Sequence, residues 1–367
     1  MRFQTSREDL LKALTAVIGA IEKLQTMPIL SHVLIRARAN ELELTGTDLR
    51  LELVGRCPAK IKDPASTTVH ARKLFDICRS LPDGADLTGD VKEGRITLKS
   101  GASRFVLSTM SADEFPALED IQPTASFKIE KRGFKKLLDR THFAMAHEDD
   151  PRRYLAGLLL VAQKSRLRAV ATDGHRLALA DLGANLDISG TAQVIVPRKS
   201  VAELVRLLDD GEGEISISLS PNHLRVDLEN LRFTTKLIEG RYPDYERVIP
   251  EGGDKTLTAG RDAVRQALSR TAILAKERFK GVRLSLSEKQ LKLQTQNPEH
   301  EEAEEVLEVE YDGAPVEIGF NVTYLLDVLG CMAGERFSLE LTGPDASGLL
   351  REVGNQDSRY VVMPMRL

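Results

Sequence analysis

The chain has 367 residues, 42% of them hydrophobic, and a net charge of −4 from 51 Lys and Arg against 55 Asp and Glu. That length predicts roughly two to three domains; no apolar run reaches the ~18 residues a membrane-spanning helix needs, and the overall charge is not that of a nucleic-acid binder. Three scattered cysteines, Cys57, Cys78 and Cys331, form no CxxC pattern; they read as small core residues in a reducing compartment, with no metal site and no cofactor expected.

From the N-terminus, MRFQTSREDLL is charged almost at once and has no apolar signal core, so a cytoplasmic protein is expected. REDLLKALTAVIGAI (7–21) puts Leu10, Leu11, Leu14, Val17 and Ile18 on one face and predicts a helix. Thr5/Glu8 and Ser6/Asp9 are both spaced as capping boxes for it. ELELTG and RITLKS alternate as half-exposed antiparallel strands. KRGFKKLLDRTHFAMA (131–146) predicts another helix, and HEDD (147–150), leading into PRRY, reads as a polar loop rather than a metal cluster. In VATDGHRLAL (170–179), Asp173 and His175 stand two apart, on one face of a strand. As an acid/base pair they carry the one enzymatic alternative. EISISLS and RFSLELTG predict further strands, and RDAVRQALSRTAILA (261–275) a further helix. The chain closes on YVVMPMRL. Chain ends ordinarily fray, so an apolar end of this kind must dock or wall a groove.

The same landmarks recur. The Thr-Asp of TGTDLRLEL returns in VATDGHRLAL, with Asp48 and Asp173 125 residues apart, and a degenerate copy, LQTQNPEHEEAEE, has Thr295 123 residues after Thr172. Arg72-Lys73 matches Arg198-Lys199, and Phe115-Pro116 matches Tyr242-Pro243 and then Met363-Pro364. Three α+β domains follow, 1–124, 125–252 and 253–367. In this alignment Leu49 alone stands for Gly174-His175, so the repeat does not need the Asp-His pair, and the shared Thr-Asp reads as a turn. No GxxxxGK[ST], GxGxxG, HExxH or GxSxG occurs. A non-enzymatic protein is expected.

Charge is distributed unevenly. The third repeat is the acidic one, with a run over 298–310 that holds Glu299, Glu301, Glu302, Glu304 and Glu305. The first offers Arg72, Lys73, Lys99 and Arg104. An acidic tail end and a basic head end suit a head-to-tail contact, which makes a ring if the rotation closes. Lys12, Arg79, Lys131, Lys136, Arg140, Arg206 and Arg265 can all face away from apolar helix stripes. A shared positive surface of this kind binds phosphates without reading bases.

TGTDLR, ARKLFDICR, VATDGHRLA, VIVPRK, GRYPDYERV, FKGVRL, NPEHEEAEE, EIGFNVTYLLDVL and YVVMPMRL together resemble the bacterial DNA polymerase III β subunit family, the sliding clamps, along the whole chain. The resemblance implies three clamp domains with inner helices and outer sheets, closed as a homodimeric ring around duplex DNA. It implies a processivity factor without catalysis, opened by a separate ATP-driven loader in the nucleoid. It adds Lys23, Arg72, Lys73, Arg152, Arg153, Tyr154, Arg198 and Lys199 to the DNA-facing set. In the dimer it sets Ile273 and Leu274 against Phe105, with Lys73 and Arg104 near the acidic run. For short motifs of polymerases and the loader it implies a peptide cleft. One wall is Leu155, Thr172, Gly174, His175, Arg176 and Leu177. Pro243, Arg247 and Val248 form another, and Val361, Val362, Met363, Pro364, Met365 and Arg366 close it.

Overall fold

The computed structural model describes residues 1–21, 27–116, 118, 121–208, 211–275 and 280–366; Lys23 lies outside the described residues. Six α-helices stand among them: α1 (Arg7–Val17), α2 (Ala71–Ser80), α3 (Lys131–Asp139), α4 (Arg198–Leu207), α5 (Arg261–Thr271) and α6 (Val322–Cys331). The apolar periodicity predicted one helix per repeat, and the structure has two. No helix among the described residues is long and apolar enough to cross a membrane.

Two compact units divide the chain, residues 1–132 with 206–237, and residues 133–205 with 238–367. In the first, α1 begins at a working cap. The Ser6 hydroxyl accepts the Asp9 N–H at 3.0 Å, satisfying one of the donors every helix leaves open. The helix buries Leu10, Ala13, Leu14 and Val17. It lies close on the sheet because two strand positions beneath it are glycine. A Cβ on Gly46 would come within 2.9 Å of the Val17 carbonyl, and one on Gly55 within 3.1 Å of the Ala13 carbonyl.

Each predicted helix stops short of its apolar pattern. The tail of α1 becomes a 3-10 turn, Ile18–Ala20, and that of α5 another, Ala272–Leu274. After α3 the Thr141 hydroxyl donates to the Leu137 carbonyl at 2.8 Å, and His142 Nδ1 meets the Leu138 carbonyl at 2.9 Å. Side chains that take the last carbonyls end a helix in this way.

The strands expected from ELELTG, RITLKS, EISISLS and RFSLELTG are Glu41–Thr47, Arg95–Ser100, Glu214–Leu219 and Arg336–Leu341; burial alternates along the last three, while in the first it alternates only to Leu44 and both faces are buried from there to Thr47. The first unit carries a 13-stranded antiparallel sheet; the second carries sheets of eight and four strands. Together with the helices packed on them, this is the α+β class expected.

Candidate functional site

The Thr-Asp landmark forms the same turn twice. In the first repeat the Thr47 hydroxyl donates to the Leu51 carbonyl at 2.9 Å and accepts the Leu49 N–H at 3.0 Å. Asp48 Oδ1 accepts the N–H groups of Arg50 and Leu51. In the second, Thr172 donates to the Arg176 carbonyl at 2.6 Å and accepts the Gly174 N–H at 3.1 Å, and Asp173 Oδ1 accepts the N–H groups of His175 and Arg176. Leu49 (φ 75°) and Gly174 (φ 89°) occupy the same left-handed position. The turns therefore align without a gap, which corrects the sequence alignment: His175 matches Arg50, and Arg176 matches Leu51. The Asp173 carboxylate serves the backbone and Arg176 Nε (3.1 Å), not the imidazole, so the acid/base reading has no geometry to stand on.

Arg176 fixes the second turn to its surroundings. It donates to Asp173, to Asp327 of α6 and to the Phe143 carbonyl (2.8 Å), and its guanidinium lies 4.5 Å from the centre of the Tyr324 ring. Beside the turn, strand Arg176–Gly183 pairs with the C-terminal strand Ser358–Val362, with Leu177 opposite Val361. The Met363 N–H continues that pairing to the His175 carbonyl at 2.9 Å. From a third direction the Tyr242 hydroxyl accepts the Thr172 N–H at 3.1 Å, which brings the 242–248 segment alongside. Burial pushes the Tyr242 phenol pKa upward.

These three pieces enclose a cavity of about 430 Å³. Nine of the residues implied for the cleft line it: Leu155, Thr172, Gly174, Arg176 and Leu177 from the first wall, Pro243 and Val248 from the second, and Val361 and Met363 from the C-terminus. Asp244, Tyr245 and Ser347 also line it, and no sequence pattern marked them. Apolar walls with a few convergent polar groups are the usual make-up of a ligand site.

The other implied cleft residues lie elsewhere. His175 is exposed, contributing its carbonyl to the C-terminal pairing, and Arg247 is exposed and paired with Asp244 at 2.8 Å. Val362 is fully buried, because alternation along its strand turns it away from the cavity. Pro364 does not line it, and Met365 and Arg366 line a separate cavity with Gln294, Gln296 and Glu304. Two residues of the expected DNA-facing set also line the cleft. Arg152 and Tyr154 are in its wall, and Arg152 reaches across to the Asp173 carbonyl at 3.0 Å. Its hydrogen bonds to Asp150 hold that carboxyl at a pKa of about 2.

Three other arginines of the DNA-facing set are engaged with backbone. Arg72 donates to the Ile21 carbonyl (3.4 Å), and its repeat counterpart Arg198 to those of Met145 and Ala146. Both arginines hold the chain that leaves the first helix of their repeat, so their recurrence has a structural cause. Arg206 donates to the Thr15 and Ala16 carbonyls near the end of α1. Lys12, Lys73, Arg79, Lys136, Arg153 and Arg265 are exposed, while Arg140 and Lys199 are half-buried. Of the expected dimer contacts, Arg104 is exposed, Phe105 and Leu274 are half-buried, and Ile273 is 77% exposed. Glu299 is exposed. Glu301 and Glu302 accept from Asn297 and Gln296, Glu304 pairs with Lys292 at 2.9 Å, and Glu305 with Arg270 at 2.6 Å. In the HEDD loop His147 meets Asp149, and among the described residues no group of three or more His, Cys, Asp or Glu is placed to hold a metal.

Known proteins match this chain from end to end. Models of the N-terminal, central and C-terminal domains of the DNA polymerase III beta subunit match residues 1–119, 128–244 and 246–366. The beta sliding clamp of Pseudomonas putida is 50% identical and that of Escherichia coli K12 46% identical, each with both chains covered completely. A crystal structure of the Pseudomonas aeruginosa sliding clamp bound to griselimycin superposes with a TM-score of 0.97 at 49% identity, again over the whole of both chains. With every repeat matched by its own domain model and identity near half, the chain belongs to the DNA polymerase III beta subunit family, the sliding clamps.

Proposed function

We propose that two copies of this chain join head to tail into a ring around duplex DNA and hold a polymerase there through the cavity described above. The observation that carries the reading is a pattern of sheet edges. In the first unit, strand Leu51–Pro58 of the first repeat pairs with Leu231–Lys236 of the second, Leu53 opposite Phe233. In the second unit, Arg176–Gly183 of the second repeat pairs with Ser358–Val362 of the third, Ala178 opposite Tyr360. Two edges remain. Glu302–Glu308, the third-repeat counterpart of the strands that follow the Thr-Asp turns, ends its four-stranded sheet. Ser103–Met110, the last strand of the first repeat, pairs on one side through Ser103–Ser108 but on the other only through Thr109 and Met110. Open edges invite pairing with another chain. Val306 (52% exposed) and Val106 (40% exposed) lie on these two strands, so pairing the two edges of different copies would cover both.

A tail edge that fits a different head edge makes a heterologous contact, and two such contacts close a ring. The Glu302–Glu308 carboxylates have acceptor capacity beyond their internal partners, and Arg104 stands on the opposing edge. The exposed cations Lys12, Lys73, Lys136 and Arg265 suit contact with phosphates irrespective of sequence. In this reading the three clamp domains are 1–124, 125–252 and 253–367. The protein is non-catalytic, acts in the cytoplasm with the nucleoid, and requires a separate ATP-dependent loader. Polymerases and the loader take the cleft with short linear motifs.

The test is topological. Protein loaded on nicked circular DNA is expected to survive a high-salt wash and to leave when the circle is cut, because phosphate contacts weaken with salt but a closed ring does not. Equal loss from circular and linear DNA under the wash would reject the ring.

A further inference from the structure

The cleft wall formed by Pro243, Asp244, Tyr245 and Val248 is made of chain that has little regular structure of its own. Its regular piece is the single 3-10 turn Glu246–Val248, which has no side-chain cap. The backbone hydrogen bonds inside it, Val248 to Tyr245 and Ile249 to Glu246, are both 3.3 Å and purely local. Arg247 pairs with Asp244 within the same stretch. A segment of this kind takes its position from what it is tied to. Two side-chain ties run to strand Arg166–Thr172: the Tyr242 hydroxyl at Thr172, and Arg168 at Tyr245 and Glu246.

We infer that Arg168 is a positioning residue for the partner cleft, holding the Tyr245–Val248 wall in place without lining the cavity. Its side chain is 8% exposed. Nε and Nη2 make a two-pronged contact with Asp181 at 2.7 and 2.9 Å, directly opposite on the neighbouring strand. That fork fixes the guanidinium plane, and the plane aims Nη1 at the Tyr245 hydroxyl (3.3 Å) and at Glu246 Oε1 (3.2 Å). Glu246 is largely exposed, so its ion pair adds little. Tyr245 is partly buried, packs against the core beneath the cleft and lines the cavity. The arm to Tyr245 is therefore the one that sets the wall. A lysine at 168 preserves the charge facing Asp181 but lacks a planar fork, so it cannot hold Asp181 and reach Tyr245 together.

The inference rests on the peptide reading of the cleft, and its first measurement needs no peptide. Amide hydrogen exchange in ligand-free R168K is expected to show protection over 243–250 falling about tenfold, the scale of one lost anchoring interaction, with strands Gly157–Gln163 and Arg176–Gly183 unchanged. Y245F removes the acceptor and leaves the Arg168–Asp181 pair intact; it is expected to loosen the same segment, and it serves if R168K does not fold. A fluorescent peptide carrying a replicative polymerase's clamp-binding segment is then expected to bind R168K about tenfold more weakly. Combining R168K with V248A should cost less than the sum of the two, because both act through one wall. Unchanged protection at 243–250, an even loss of protection across the whole second unit, or strict additivity with V248A would overturn the role of Arg168. A wild-type protein that binds no peptide while R168K still loosens 243–250 would overturn the peptide reading and leave the positioning role standing.

Discussion

The turns at Thr47–Leu51 and Thr172–Arg176 share their hydrogen bonds atom for atom, and it is the second that borders the cleft. At the first, the left-handed position holds Leu49, 38% exposed, and the residue that ends the turn is the buried Leu51. At the second, that position holds Gly174, and the turn ends on Arg176, which ties it to Asp327 and Tyr324. The Thr-Asp pair is thus scaffold, and the site arises from what is brought against it: the 242–248 segment, Arg152 and the C-terminal strand. A motif that recurs within one chain marks a shared fold requirement. A site is marked by the positions where its copies differ.

The difference is sharpest at the left-handed position. Installing leucine there in the second turn, G174L, should have the largest effect. A Cβ on Gly174 would come 2.7 Å from Arg152 Nη1, so Arg152 must leave the wall it forms. Peptide affinity should fall at least about tenfold, and the left-handed backbone should cost about 1–2 kcal/mol of stability. Anisotropy titration beside chemical denaturation reads both; retained affinity would mean that Arg152 and Gly174 do not shape the cleft. Next come D48A and D173A. Each removes an acceptor of two backbone N–H groups, and each should cost about 1–2 kcal/mol in urea denaturation. Peptide binding should suffer only in D173A; a loss in both would show that the turns are not functionally distinct. L49G should have the smallest effect. Relief of the left-handed leucine and the added chain entropy of glycine oppose one another at about 1 kcal/mol each, so stability should stay within ~0.5 kcal/mol and peptide affinity should not change.

Alternation in EISISLS and RFSLELTG was enough to place strands, because one face of each is buried and the other is not. Ser6 and Asp9 were legible as a cap because the capping contact lies within three residues. Other features depend on distant partners. The apolar pattern of 131–146 overran α3 because it carries no sign that Thr141 and His142 take the last carbonyls. The backbone contacts of Arg72, Arg198 and Arg206 were not legible because sequence shows a charge but not the carbonyl it meets. Tyr245 and Ser347 reach the cleft from stretches about a hundred residues apart, where no local spacing marks them. Arg152 and Tyr154 stood in a basic loop whose composition suited DNA equally well.

The most direct measurement of the cleft is peptide binding after removal of the C-terminal end from Met363 onward. The registered ladder ends at Val362, opposite Arg176 and Gly348, and beyond it truncation gives up the backbone hydrogen bonds of Met363 to His175 and of Met365 to Gly319, so it should leave the fold and the proposed dimer standing. It removes Met363, an apolar side chain that lines the cavity. Fluorescence anisotropy should show the polymerase-derived peptide bound at least about tenfold more weakly, since ~1.4 kcal/mol of lost burial is enough, while gel filtration shows an unchanged dimer. An unchanged affinity in the truncated dimer would contradict the account and place the partner site away from the Thr172–Arg176 turn.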